Sequence, residues 1–141
     1  MHMDERPRSY AWRSVRVCFV VWVVTCTTAG VGTMLLTLPD TGGEAAAFLY
    51  GGLVLGLSGG GTYSLLWYFR ESRGLEPPGL ARGAVFGLVA SVPYLFLEVL
   101  GFAASGGWQP AVLWQDLVVV TGCATIGGAC AIAKPLWRRV A

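Results

Sequence analysis

The chain has 141 residues and a formal net charge of +2, with 55% hydrophobic and only 13% charged side chains. Because charged residues make up about 25% of a typical soluble domain, this composition excludes an ordinary soluble globular protein. The small net charge gives no indication of nucleic-acid binding, which a strongly basic surface would favour. The length is that of a single domain, which we assign to residues 1–141.

Four long windows contain almost no charge. Since a helix rises about 1.5 Å per residue, about 20 residues cross a hydrocarbon core roughly 30 Å thick, and each window is long enough. We therefore predict an all-α integral membrane protein, with four transmembrane helices in an antiparallel up-down bundle. The windows are Val17–Leu38, Ala45–Phe69, Gly83–Ala104 and Ala111–Ala133.

The ten Lys and Arg residues are distributed asymmetrically. All of them lie before the first window, in the loop Arg70–Arg82 or after the fourth window, and the other two connections have none. The positive-inside rule then predicts that both termini and this loop are cytoplasmic, as in a bacterial-type plasma membrane. Arg70, Arg73 and Arg82 are expected to contact anionic lipid headgroups.

The first window carries threonine and alanine at a spacing of four, which places them on one helix face. Threonine hydroxyls in lipid bond back along their own helix or across to another, so this pattern predicts a helix–helix contact. After it, Pro39 to Gly43 are expected to form a tight turn on the outer side. The small residues are Thr25, Ala29, Thr33 and Thr37.

The second window has the clearest pattern, a stripe of four small residues that repeats every four positions. Such a stripe allows the backbones of two membrane helices to approach closely, so these residues are predicted to pack helices. The alternative is a helix that breaks at Ser58–Gly61 and lines a small site. Trp67 and Tyr68 are expected at the headgroup level. The stripe consists of Gly52, Gly56, Gly60 and Ser64.

The third and fourth windows repeat this pattern and add two acids. Gly83, Gly87 and Ser91 form a further predicted packing stripe in the third window, and Thr121, Thr125, Ala129 and Ala133 form one in the fourth. Glu98 and Asp116 are the only Asp, Glu, Lys or Arg residues inside any window. Counted from the connection between their helices, both lie at nearly the same depth, so a hairpin brings them to one level.

A carboxylate inside a membrane helix costs roughly 2.5–3.5 kcal/mol at the centre, and such residues are often functional. Glu98 and Asp116 are therefore our candidate proton or cation site, open to the outside. The alternative is structural: each acid reaches the outer headgroups or bonds a polar neighbour, and the apolar residues around it offset the cost.

No catalytic or metal-binding template fits the sequence. The single histidine, His2, is terminal, and there is no H-E-x-x-H motif or Ser-His-Asp set, so we predict no enzymatic activity and no cofactor. The four cysteines lie within the apolar windows without a C-x-x-C spacing, which indicates no disulfide framework. Thiolates in pairs would suit Cu(I) or Zn, but cysteine is more often a small apolar filler, so no metal is predicted.

Three functional interpretations remain, and the third, a membrane enzyme, is placed last because no catalytic template fits. The first is a structural or accessory subunit that packs through its small-residue faces against itself or a larger membrane protein. The second is a homo-oligomeric transporter or channel that uses Glu98 and Asp116. The one-sided distribution of Lys and Arg argues against an antiparallel dimer of inverted copies and favours a parallel, cyclic oligomer. The expected partners are therefore the lipid bilayer and further membrane subunits, with no nucleic acid.

Overall fold

The computed structural model describes residues 6–41, 45–76, 78–106 and 110–140. These residues form four helices, and no strand occurs among them: α1 (Arg6–Thr41), α2 (Ala45–Ser72), α3 (Leu80–Ser105) and α4 (Pro110–Val140). The prediction of an all-helical chain with four helices is thereby confirmed for the described residues. α2 is continuous through Ser58–Gly61, so the glycines do not break the helix.

The helices are longer than the apolar windows. α1 continues through Pro39 to Thr41, so the prediction that a turn begins at Pro39 is wrong. The rest of the predicted turn, Gly42 and Gly43, lies outside the described residues. A proline so close to the end of a helix removes only one backbone hydrogen bond, which explains why α1 tolerates it.

Two glycines end the helices that precede the sharpest turns. Gly74 follows α2 with φ +66° and donates its N–H to the carbonyl of Glu71, while the N–H of Leu75 reaches the carbonyl of Arg70. Gly106 follows α3 with φ +84° and donates to the carbonyl of Phe102. Both close the last turn with left-handed backbone that glycine adopts without a steric penalty.

α1 and α2 pack backbone to backbone along their length. A Cβ atom added to Gly52 would lie 2.6 Å from the carbonyl oxygen of Cys26 and 3.1 Å from the Cα of Gly30. At the other end of the same interface, the rings of Trp12 and Tyr68 lie 6.1 Å apart. The two contacts lie near opposite ends of the interface between α1 and α2.

α3 and α4 form a second close pair. A Cβ added to Gly87 would collide with the carbonyl oxygen of Cys123 and lie 3.1 Å from the Cα of Ala124. One turn away, a Cβ on Gly83 would lie 2.6 Å from the carbonyl oxygen of Gly127. α2 and α3 also contact each other, whereas α1 and α4 scarcely do, so the two pairs meet mainly through the inner helices.

Aromatic side chains fill the space between the pairs. Trp22, Tyr63 and Trp67 are completely buried, and their rings follow one another at 5.3 and 5.8 Å. The Tyr63 hydroxyl donates a hydrogen bond of 2.8 Å to the carbonyl of Gly127, which ties α2 to α4. Trp67, which is expected at the headgroup level, is completely buried against the other helices, and its depth in the membrane stays a prediction.

Three helical segments of the described chain are long and apolar enough to cross a membrane: Trp12–Leu36, Leu80–Ser105 and Leu113–Ala133. The protein surface along these segments is also apolar, and side chains such as Val89, Val92 and Phe96 are exposed. A surface of this kind is suited to lipid rather than water. α2 is not among the three, because its glycines and hydroxyl side chains lower its mean hydropathy.

Candidate acidic site

Glu98 on α3 and Asp116 on α4 are the two sequence-predicted site residues that the structure brings together. Their carboxyl groups lie within hydrogen-bonding reach of each other, and both side chains are half-buried. At 1.5 Å per residue, Glu98 lies about 10 Å from the end of α3, and Asp116 lies about 9 Å from the start of α4. The α3–α4 pairing that begins at Gly83 and Gly87 thus places the acids at one level.

The hydrogen bonding of this pair requires a proton. An ionised carboxylate only accepts hydrogen bonds, so two acids that bond to each other must hold one proton between them. Two of the carboxyl oxygens, Oε2 of Glu98 and Oδ1 of Asp116, are buried, and neither accepts a hydrogen bond from a donor group in the described structure. A buried polar atom without a partner is costly, so the pair presents acceptors that a proton donor or a water molecule would satisfy.

Tyr94 is a third member of the cluster, which the sequence analysis did not identify. It interacts electrostatically with Glu98, Asp116 and Cys123. Its hydroxyl also lies 3.5 Å from the position that a Cβ on Gly51 would occupy, so it reaches the backbone of α2. The spacing in the sequence could have indicated Tyr94, because a residue four positions before Glu98 lies on the same helix face.

No described basic residue lies near the acids. Arg13 and Arg16 belong to the beginning of α1, Arg70 and Arg73 follow the end of the α2 span, and Arg82 begins α3. These positions are at the far ends of the helices from Glu98. The pair is thus balanced by its shared proton rather than by an arginine.

The predicted packing residues of α2 and α3 lie at helix interfaces, whereas Thr25, Ala29 and Thr33, the described part of the predicted α1 contact face, are exposed. In α2, Gly56 and Gly60 face α1, where added Cβ atoms would lie 3.0 Å from the Cα of Val23 and 3.0 Å from the Cβ of Trp22. Ser64 donates a 3.3 Å hydrogen bond to the carbonyl of Val15. These contacts, with those of Gly52, Gly83 and Gly87, are all made inside one chain.

Ser91 is buried as well, but its hydroxyl bonds within its own helix, to the carbonyl of Leu88 at 2.6 Å. The predicted stripe of α3 therefore packs through its two glycines, Gly83 and Gly87. Within the described structure, the serine fills space at the end of the stripe and forms no hydrogen bond to a neighbouring helix.

The packing stripe predicted in the fourth window is largely exposed on α4, and we call three of its members, Thr121, Thr125 and Ala129, the α4 small face. The hydroxyl of Thr121 donates to the carbonyl of Leu117, and that of Thr125 donates to the carbonyl of Thr121, both at 2.8 Å. Because the hydroxyls are satisfied within the helix, this face presents a smooth apolar surface to lipid or to another helix.

All four cysteines, Cys18, Cys26, Cys123 and Cys130, are buried among the aromatic core residues. Within the described part of the chain, no three His, Cys, Asp or Glu side chains converge so that they could hold a metal ion. His2 and the connection around Trp108 lie outside the described residues.

Together, the described residues form four helices, three of which contain segments long and apolar enough to cross a membrane, with a half-buried acid pair between α3 and α4. Comparison with protein-family models, with curated proteins and with solved structures finds no match for this chain.

Proposed function

We propose that all four helices cross the plasma membrane in antiparallel order, with both termini and the α2–α3 loop in the cytoplasm. Two observations support this topology. Residue pairs such as Gly30 with Gly52 and Trp12 with Tyr68 run in opposite order along neighbouring helices. The described arginines also collect at one end of the bundle, as the positive-inside rule requires.

Two serines at opposite ends of the bundle test this topology. Ser72 and Ser105 are both exposed at helix ends, whereas the native cysteines are buried. In intact cells, a membrane-impermeant maleimide should label Ser105→Cys at once and Ser72→Cys only after permeabilisation. The opposite pattern would invert the topology, and labelling of both in intact cells would remove α2 or α3 as a span.

We further propose that the protein is a small transporter or channel that binds a proton or cation at Glu98 and Asp116. The observation that carries this proposal is the direct pairing of two membrane-embedded acids, each with a buried oxygen that lacks a partner. Such an arrangement is expensive in lipid, and a merely structural role does not require it. The site would exchange its ion with the outer side, which lies about 10 Å away.

The accessory-subunit interpretation is our second candidate. The small-residue faces of α2 and α3 no longer support this interpretation, because their glycines pack within the chain and are not available to a partner. One observation still favours it: the exposed α4 small face could seat a helix of a second copy or of a larger membrane protein. In that case the oligomer forms through α4.

Flux through liposomes tests the transport proposal. The purified protein should collapse an imposed proton or alkali-cation gradient, reported by a dye inside the vesicles. The variant Glu98→Gln/Asp116→Asn should reduce that flux to the level of empty vesicles, because neither amide can bind and release an ion. The control is Glu76→Gln in the exposed α2–α3 loop, which should retain full flux. Equal flux in both variants would refute the proposal.

A further inference from the structure

We propose that the exposed seam between α1 and α2 binds one anionic phospholipid, whose phosphate contacts Arg16 and whose acyl chain follows the seam past Gly61. The site is separate from the acid pair, which belongs to α3 and α4. The inference goes beyond the proposed function, because it holds whether or not the protein transports an ion.

Arg16 is held in place by an aromatic ring. Its guanidinium group lies over the ring of Trp12, 5.9 Å from the centroid, and Trp12 in turn meets Tyr68 of α2 edge to face at 6.1 Å. A cation–π contact at this distance restricts the orientation of the guanidinium group. Because stacking uses only the face of this planar group, its N–H donors remain directed to the surroundings. Arg16 and Trp12 are both exposed.

An anionic phosphate complements this arginine. Within the described residues, no carboxylate forms an ion pair with Arg16. Arg70 differs, because its Nε donates a 2.6 Å hydrogen bond to the carbonyl of Glu76 in the α2–α3 loop. A guanidinium group with exposed N–H donors binds a phosphate through two parallel hydrogen bonds. Arg16 is therefore the described basic side chain best prepared for such a ligand.

The depth of Arg16 indicates that the phosphate belongs to a lipid. The apolar segment of α1 that could cross a membrane, Trp12–Leu36, begins at the ring over which the arginine lies. Trp and Tyr rings are typical of the headgroup level, and basic residues near the surface attract anionic lipids. The guanidinium group thus lies where lipid phosphates are most concentrated.

Beyond the arginine, α1 and α2 remain in contact, and the seam continues beside that contact. A Cβ added to Gly60 would lie 3.4 Å from Cδ2 of Phe19. The next residues on the two helices, Gly61 and Val20, therefore lie at about the same level, and both are exposed. Val20 is one turn from Arg16 on the same face of α1, so the seam leads directly away from the guanidinium group.

Gly61 leaves a gap in the apolar surface of this seam. Nothing lies within 4 Å of a Cβ added there, while Leu57 and Leu65, one turn away on either side, are each 54% exposed. A gap between two leucines is suited to a hydrocarbon chain. Tyr68 lies two turns from Gly61 on the same face, a distance of about 10 Å, so an acyl chain whose phosphate is at Arg16 reaches the gap.

Native mass spectrometry of the full-length protein, released from detergent micelles, tests this site. Phosphatidylglycerol and phosphatidylcholine with identical acyl chains are titrated separately. The wild type should bind one phosphatidylglycerol more tightly than phosphatidylcholine, and soluble glycerol phosphate should not displace it. Equal binding of the two lipids would overturn the anionic headgroup. Displacement by glycerol phosphate would overturn the lipid and indicate a site for soluble phosphate compounds.

Arg16→Gln tests the headgroup contact. Loss of this charge should weaken phosphatidylglycerol binding about fivefold, the equivalent of the roughly 1 kcal/mol that one basic residue contributes near anionic lipid. The matched control is Arg82→Gln, which makes the same change in charge at an exposed position near the start of α3 and should keep the wild-type affinity. Equal losses in the two variants would mean that net charge attracts the lipid, which would overturn the site.

Gly61→Leu tests the path of the acyl chain, because its side chain fills the gap. It should weaken the binding of both lipids by the same factor, since their acyl chains are identical. The matched control is Gly101→Leu on α3, where again nothing lies within 4 Å of an added Cβ. Both glycines are exposed, so neither change disturbs the packing of the helices. An unchanged affinity in Gly61→Leu would overturn the acyl-chain path.

Discussion

Gly87→Ala is expected to destabilise the protein by roughly 1–3 kcal/mol or more, the cost of forcing one extra methyl group into a closed interface. The added Cβ would collide with the carbonyl oxygen of Cys123 and lie 2.8 Å from its carbonyl carbon. These are backbone atoms, which cannot rotate away as a side chain would. α3 and α4 must therefore separate, and the hydrogen bond that Tyr63 donates to Gly127 loses its geometry.

Thermal unfolding of the purified protein in one detergent measures this effect. The matched controls are Gly101→Ala on α3 and Gly122→Ala on α4, where nothing lies within 4 Å of the new methyl group. Because alanine is favoured over glycine in a helix by up to about 1 kcal/mol, the controls should equal or exceed the wild type in stability. If Gly87→Ala melts together with the controls, the close α3–α4 contact is wrong.

This comparison also indicates how far the sequence alone could predict the fold. The spacing of Gly83 and Gly87 predicts a face for close packing, since residues four apart lie on one side of a helix. It does not identify the partner, because any helix with a small surface would fit. That α3 meets Gly127 of α4 follows from the tertiary arrangement, in which large residues such as Trp22 occupy the other spaces.

Trp67 and Pro39 illustrate what local sequence patterns leave undetermined. Tryptophan near the end of an apolar segment is typical of the membrane interface, but rotation of α2 about its axis decides whether the ring faces lipid or the core. The glycines of α2 that pack against α1 fix this rotation, and Trp67 is then completely buried. Similarly, Pro39 indicates a turn by local preference, yet a long helix loses only one hydrogen bond to it.

For the candidate site, the sequence predicts the depth of the two acids along their helices but not whether their side chains face each other. Counting residues from the α3–α4 connection placed Glu98 and Asp116 at one level, because helical rise is constant. Whether they face each other depends on the crossing of α3 over α4, which the sequence does not specify. Tyr94 could have been proposed from its spacing to Glu98, but its contact with Gly51 requires knowledge of how α2 packs.

A second large effect is expected from replacing the acid pair with apolar residues. Glu98→Leu/Asp116→Leu should be more stable than the wild type by about 1–4 kcal/mol, because a buried polar pair exchanged for well-packed apolar side chains commonly gains this much. The surroundings are suitable, since the neighbouring surface of α3 and α4 is apolar and exposed to lipid. The same variant should show no flux in the liposome assay.

The two single variants measure how strongly the stabilities conferred by Glu98 and Asp116 depend on each other. Glu98→Leu and Asp116→Leu each leave one acid with no partner for its proton, so each should be less stable than the double variant, and the two changes should not be additive. Thermal unfolding of all four proteins in the same detergent measures this coupling. A double variant less stable than either single one would mean that the acids stabilise the fold. The gain in stability with loss of flux would instead indicate that the pair is kept for ion binding at the expense of stability.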